Sequence, residues 1–275
     1  MSARAARAVA PAFAAGEADE RLQDGDKAAG ARAIHRALAI LECYGGGERA
    51  LGIHELAKAV TLSPSTVHRI VRAMVERGFL AQNDGNNRYV LGPTMIVLGQ
   101  VTQRLFGLDK VGAVLEEVAR RYGEGVTFGM RDGEAVVVLA QLESTKQVRF
   151  SHPPGTRVPL HASALGKAVI ASARDVASEV RALGKLSALT ARTITGKAKL
   201  ATELAATVRR GYAIDDEESV IGVRGVAVPV IAKSGAVVAA LGIEGPSAHL
   251  PDAWVRQIGK ELAGWAGRIA HVVSL

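Results

Sequence analysis

The chain has 275 residues, enough for two domains that each bury a core. Its formal charge of +7 and pI near 9.7 permit a polyanionic partner without proving one, because residues 30–92 hold eight Lys/Arg against five Asp/Glu and the excess is not concentrated. A lone cysteine, Cys43, excludes an intramolecular disulfide; no Cys/His cluster has zinc-ligand spacing, no cofactor is implied, and no apolar run is long enough to span a membrane.

Residues 1–29 carry few large apolar side chains and are expected to form a disordered tail. Residues 1–16 are rich in Ala and Arg, as in a transit peptide. The acidic patch from Glu17 to Asp26 and the lack of a clear cleavage pattern favour a cytoplasmic protein instead. A first helix is predicted from Ala31 to Tyr44, with Ile34, Leu38 and Leu41 facing inward and Cys43 as a core thiol. Gly45–Gly47 ends it. These glycines lack the strand and helix context of a dinucleotide fingerprint and read as a plain loop.

A short helix follows at Ile53–Val60, with Ile53, Leu56, Ala57 and Val60 on one face. After the three residues Thr61–Ser63, Ser63 can cap a second helix and Pro64 suits its first position. Val67, Ile70, Val71 and Met74 form its apolar stripe; Ser65, Arg69 and Arg72 project outward, with His68 at the edge. The spacing fits a helix-turn-helix whose second helix enters the DNA major groove. A plain helical hairpin has the same periodicity, but short hydroxyls and arginines beside a helix start suit phosphates and base edges. Arg72 is assigned to the backbone, and Ser65, Thr66 and Arg69 to base edges. Gly78 stops the helix. Strands at Phe79–Gln82 and Arg88–Leu91 flank NDGNN, where Asp84-Gly85 is a hairpin signal, so residues 30–92 read as a winged helix-turn-helix. Arg88 at the wing base reads equally as a phosphate or minor-groove contact and as an ordinary exposed arginine.

Pro93 opens a linker helix, 93–107, whose Met95, Ile96, Leu98, Val101 and Leu105 cover more than one face and are expected to pack on a partner subunit. Residues 108–275 read as an α+β domain. A helix runs from Asp109 to Tyr122, with Val111, Val114, Leu115 and Val118 buried. Strands at Thr127–Arg131 and Glu134–Glu143 turn at Asp132-Gly133, and a further strand lies near Gln147–Phe150. The loop SHPPGTRVPL leads to a helix from Ser163 to Ala173, then helices at Val176–Leu183 and Gly196–Arg210. Strands at Val223–Val230 and Ala236–Ile243 and a helix over Asp252–Val272 close the chain. Antiparallel strands with helices on their faces suggest a sensor-type fold.

Two strands carry small residues on one face, Gly225 with Ala227 and Ala240 with Gly242, the second face also bearing Glu244. Such a face either walls a cavity or sits tight beneath a helix. Ser163 can cap a helix whose free N–H groups would receive a carboxylate, which favours the cavity. Asp215, Asp216, Glu217 and Glu218 form a dense acidic loop without metal spacing.

The motifs SPSTVHRIVRAMVERGFL, RYVLG, RVPLHASALGKA, GYAIDDEE, GVRGVAVPV and GIEGP, in this order, make residues 31–275 resemble the IclR family of bacterial transcription regulators. The resemblance implies a DNA-binding domain, a linker helix and a GAF-like effector-binding domain. It further implies a homodimer or dimer of dimers that binds an operator and a small carboxylic acid, usually as a repressor of a catabolic operon. By position, the effector site would use backbone groups at Ala164 and Leu165, the side chain of Asp215, and residues Gly225, Gly242 and Glu244, with Phe150 on one wall. A familiar form of that pocket has cysteine in place of Gly225 and serines in place of Gly242 and Glu244. Two glycines should enlarge the space, and an ionised Glu244 would repel a carboxylate, which together suggest a bulkier, aromatic or hydroxylated acid.

Two rival functions are weighed. Ser163 and Lys167 lie four apart and could imitate a hydrolase Ser–Lys pair, but S-x-x-K spacing and a second motif are lacking. A winged-helix module that binds protein would lack the effect of Arg69 and Arg72 on salt-dependent DNA binding.

Overall fold

A computed structural model describes residues 25–45, 50–83 and 85–273, which divide into two compact units, one ending at Thr102 and the other starting at Gln103. The tail expected for residues 1–29 lies outside the described residues up to position 24. From Gly25 the chain is already helical, in α1 (Gly25–Glu42), ahead of the expected boundary. Gly46, Gly47 and Asp84 also lie outside the described residues.

In the first unit, α2 (Ile53–Ala59) and α3 (Pro64–Glu76) pack through Leu56, Ala57, Val67, Val71 and Met74. The face of α1 expected inside is only partly so. Ile40 is buried and Ala37, Leu41 and Cys43 pack beside it, while Ile34 and Leu38 are 62% and 49% exposed. Both sets repeat at helical spacing, and the contact with α2 and α3 covers one of them. Ser63 caps α3 by accepting from the Thr66 N–H at 3.3 Å. At the other end Gly78 takes φ +72°, and the Phe79 N–H reaches the Met74 carbonyl at 2.9 Å. Strands β1 (Leu80–Asn83) and β2 (Arg88–Leu91) form the antiparallel wing, and Leu51 pairs with Tyr89 from outside it. Helix α4 (Pro93–Leu105) follows; none of its residues is buried.

The second unit is a six-stranded antiparallel sheet in the order β5-β4-β3-β8-β7-β6. Its strands are β3 (Gly125–Asp132), β4 (Ala135–Leu142), β5 (Arg157–Pro159), β6 (Ala213–Asp216), β7 (Val223–Ile231) and β8 (Val237–Pro246). The two-residue alternation decides which layer each side chain joins. Val126, Phe128, Val226, Val228, Leu241 and Ile243 meet α5 (Leu108–Tyr122) and α9 (Asp252–Val272). Full burial of each contributes about 1.5–3 kcal/mol. Ala227 and Ala240 instead meet α6 (Ala164–Ala171), behind which lie α7 (Val176–Ala182) and α8 (Lys197–Arg210).

Three sequence expectations are corrected here. Gln147–Phe150 is not a strand; Arg149 pairs back to Glu143 at 3.0 Å and the Ser151 hydroxyl donates to Gln141 at 2.9 Å, folding residues 143–156 over β4. The edge of β4 is taken by Arg157–Pro159, a stretch whose sequence reads as loop. Asp215 and Asp216 likewise belong to the edge strand β6 and not to a free loop.

Candidate functional site

The first candidate surface is the outer face of α3. Ser65, His68, Arg69 and Arg72 are exposed and Thr66 is half-buried. The Ser63 hydroxyl lies 3.1 Å from that of Ser65 and 2.9 Å from that of Thr66, so these hydroxyls close the start of the helix as well as facing outward. His68 and Arg69 make no hydrogen bond or ion pair among the described residues. Arg72 faces Glu76 at 4.0 Å, both well exposed, which is a weak tie that a phosphate could replace. The unpaired N–H groups at the helix start add positive potential to the same surface. Arg88 is held by Glu55, whose other oxygen accepts from the Gly52 N–H at 2.8 Å. The Arg88 hydrogen bond keeps the Glu55 carboxyl below its usual range. Arg88 thus ties the wing to the first turn of α2, a role the sequence signalled only through the glutamate three residues after Gly52.

The second candidate site lies between the start of α6 and the small face of β7 and β8. Ser163 fixes that start: its hydroxyl donates to the Pro159 carbonyl at 2.7 Å and accepts from the Gly166 N–H at 3.0 Å. The N–H groups of Ala164 and Leu165 remain in the first turn without intrahelical acceptors. The hydrolase reading fails at this point. Ser163 is committed to the cap, and Lys167 is buried with its amine 2.5 Å from Glu218.

The space expected at the two glycines is filled. A Cβ on Gly225 would stand 3.2 Å from Glu244 Cγ and 3.3 Å from Ala164 Cβ, and one on Gly242 would stand 3.0 Å from Leu165 Cδ2. The small strand face therefore sits close beneath α6, and these glycines give no support to a bulky effector. Asp215 borders the site, but its oxygens already accept from the N–H groups of Glu218 (2.8 Å) and Ser219 (3.2 Å) and from the Ser219 hydroxyl.

Glu244 is buried with Oε2 unpartnered, 3.5 Å from Nε2 of His152. Burial, with the Asp215 charge as a smaller contribution, pushes the Glu244 carboxyl up to about 8. Burial also pushes His152 down to about 4. Both are uncharged near neutrality, so their approach is not an ion pair, and the expected repulsion of a carboxylate by Glu244 does not arise. Phe150 stands edge-on to His152, ring centroids 4.7 Å apart. Thr127 opposes Gly242 across β3 and β8, fully buried, with no partner for its hydroxyl among the described residues. The sequence marks neither as a site residue: His152, like His161, has no convincing partner there and reads as a packed or exposed histidine, and Thr127 looks like an ordinary strand residue.

The acidic run is a structural lattice. Glu218 pairs with Lys167, Asp216 with Arg192 (2.9 Å) and Arg224 (2.7 Å), and Glu217 accepts from the Gly222 N–H at 2.9 Å. Among the described residues no group of His, Cys, Asp and Glu is placed to hold a metal ion, and no helix is long and apolar enough to cross a membrane.

Comparison with known proteins bears on both surfaces. Residues 33–84 match the IclR helix-turn-helix domain, and residues 101–271 match the C-terminal domain of bacterial transcriptional regulator IclR. The chain is 34% identical over 227 residues to the HTH-type transcriptional regulator BhcR of Paracoccus denitrificans, covering 82% of this chain and 81% of that one. It is 30% identical over 233 residues to the acetate operon repressor of Salmonella typhimurium, covering 83% and 85%. The crystal structure of the Thermotoga maritima IclR superposes with a TM-score of 0.71 at 25% identity, covering 89% of this chain and all of that one.

Proposed function

The chain belongs to the IclR family of bacterial transcription regulators, and from that premise we propose that it is a cytoplasmic, effector-controlled repressor of a catabolic operon. Its relatives are regulators, not enzymes, and so is this chain.

In this reading residues 30–92 bind DNA, 93–107 link, and 108–275 bind the effector. A homodimer, or a dimer of dimers, presents two copies of α3 to successive major grooves, with half-sites about 10 bp or a multiple of that apart. Arg69, Ser65 and Thr66 face base edges with His68 beside them, Arg72 faces the backbone, and Arg88 steadies the wing near the phosphates. The observation that carries the reading is the exposed Arg69, unpaired among the described residues, on a helix capped by Ser63.

The effector is proposed to be a carboxylic acid. Its carboxylate meets the N–H groups of Ala164 and Leu165 at the start of α6, beside the packed glycines Gly225 and Gly242, with Phe150, Asp215 and Glu244 around it. Its binding changes operator affinity only as far as it binds one arrangement of the two reading heads better than another.

The test is capture of genomic fragments by the purified protein at physiological ionic strength. A reproducible preference over random duplex, weakened by Arg69→Ala and with a flatter salt dependence in Arg72→Ala, supports the reading. Equal binding to every fragment, with and without candidate acids, overturns it.

A further inference from the structure

We propose that Thr127, His152 and Glu244 form a second recognition point in the effector site, one that receives an uncharged hydroxyl, so that the effector is a hydroxycarboxylic acid. This rests on the effector-site reading above and narrows it.

Thr127 Oγ1 and Glu244 Oε2 are both buried, and neither has a hydrogen-bond partner among the described residues. Buried polar side chains in folded proteins are nearly always bonded, so two such atoms at one place call for a guest. They share a face of the sheet: Thr127 opposes Gly242 and Gly125 opposes Glu244, on the neighbouring strands β3 and β8. His152 closes the arrangement from segment 143–156, its Nε2 3.5 Å from Glu244.

The carboxylate end is near. Glu244 Cγ and Ala164 Cβ both lie within 3.3 Å of the point where a Cβ of Gly225 would stand. The first turn of α6 and Glu244 are therefore immediate neighbours with no gap between them at Gly225, and the acid is placed beside that contact, within reach of both, and not inside it.

Charge decides which group belongs at the second point. With Glu244 protonated and His152 neutral, the wall offers an O–H donor, a hydroxyl that can donate or accept, and an imidazole that can do either. An alcohol both donates and accepts and buries no charge. An ammonium would need an ionised Glu244 inside the core, and a plain hydrocarbon would leave both oxygens unpaired.

The experiment is calorimetric titration of the full-length protein at pH 7 with propionate, lactate and alanine, and with benzoate and 4-hydroxybenzoate. In at least one family the hydroxy acid should bind about tenfold more tightly than its plain counterpart. Thr127→Val and Glu244→Leu should bring that ratio toward one, and Glu244→Gln, which keeps a donor, should retain most of it. Equal affinity for plain and hydroxylated acids in the unmodified protein, a preference for alanine, or a ratio indifferent to Thr127→Val and Glu244→Leu overturns the proposal while leaving a carboxylate site standing. If none of the five binds, the effector-site reading falls with it. The comparison in the unmodified protein does not depend on any variant folding.

Discussion

The amine of Lys167 lies 2.5 Å from Glu218 Oε1, with the lysine side chain fully buried and the glutamate nearly so. The contact ties α6 to the turn after β6. That turn is held in addition by the Thr190 hydroxyl on the Glu217 carbonyl and the Thr193 hydroxyl on that of Glu218, each at 2.7 Å. Removing the lysine strands a carboxylate in the core. Lys167→Ala should cost about 3–5 kcal/mol of unfolding free energy, whereas Lys167→Met combined with Glu218→Leu should cost much less. Urea denaturation of the two variants checks this; equal losses would mean that the pair's charge is immaterial.

The cap of α3 separates folding from DNA contact. Ser63→Ala should lower stability by about 1 kcal/mol. Ser63→Asp keeps an acceptor for the Thr66 N–H and should be nearly neutral for stability. It also sets a negative charge where phosphates are proposed to approach, so DNA affinity should fall further than in the alanine variant. Thermal melts alongside fluorescence anisotropy on a captured fragment would reveal the split.

Glu244 gives stability a pH signature. Its folded value of about 8 lies above the ordinary value of 4.5, so the protonated group favours the folded state at low pH. That contribution is complete below about 4.5 and is lost as pH rises through about 8. The groups facing it are His152 from segment 143–156 and Asp215 from β6. His152 works the other way: its value of about 4 lies below the ordinary 6.5, so its contribution is present above 6.5 and lost as pH falls through 4. Relative to the natural chain, Glu244→Gln should gain up to about 1.4 kcal/mol per pH unit between pH 5 and 8. Denaturant curves at pH 5, 6.5, 8 and 9 would measure it, and parallel curves would remove the glutamate from the account.

Helix α4 leaves Ile96 and Leu105 each 65% exposed, with Val97, Leu98 and Val101 about half exposed. If this surface joins two copies, Ile96→Glu with Val101→Glu should weaken self-association at least tenfold and leave the far-ultraviolet spectrum of the separated chains unchanged. Sedimentation velocity over a concentration series reads the outcome; an unmoved association constant would place the contact elsewhere.

Local signals were legible in the sequence. Ser63-Pro64, the glycine at 78 and the stripe Val67, Val71, Met74 write α3 within twenty residues, because caps and periodicity act over one or two turns. Long-range pairing was not. Whether Gln147–Phe150 or Arg157–Pro159 takes the edge of β4 depends on strand register and on Arg149 folding back to Glu143. The face of α1 depends on which neighbour covers it, so the expected inward set Ile34, Leu38 and Leu41 omits the buried Ile40. At the proposed effector site the sequence offered positions by resemblance, but not what fills the space around them. Gly225 reads as room in the sequence, and the long Glu244 opposite fills it; His152 reaches Glu244 only because segment 143–156 folds back, a long-range contact that no local pattern signals.

Gly225 and Glu244 stand opposite each other in the register of β7 and β8, one without a side chain because the other has a long one. Their replacement is therefore coupled. A larger residue at 225 collides unless 244 shrinks, and a shorter 244 leaves a hollow unless 225 grows. Descendants of this regulator that change one of these residues should alter the two codons together, and a designer repacking the proposed effector site should mutate them as a unit.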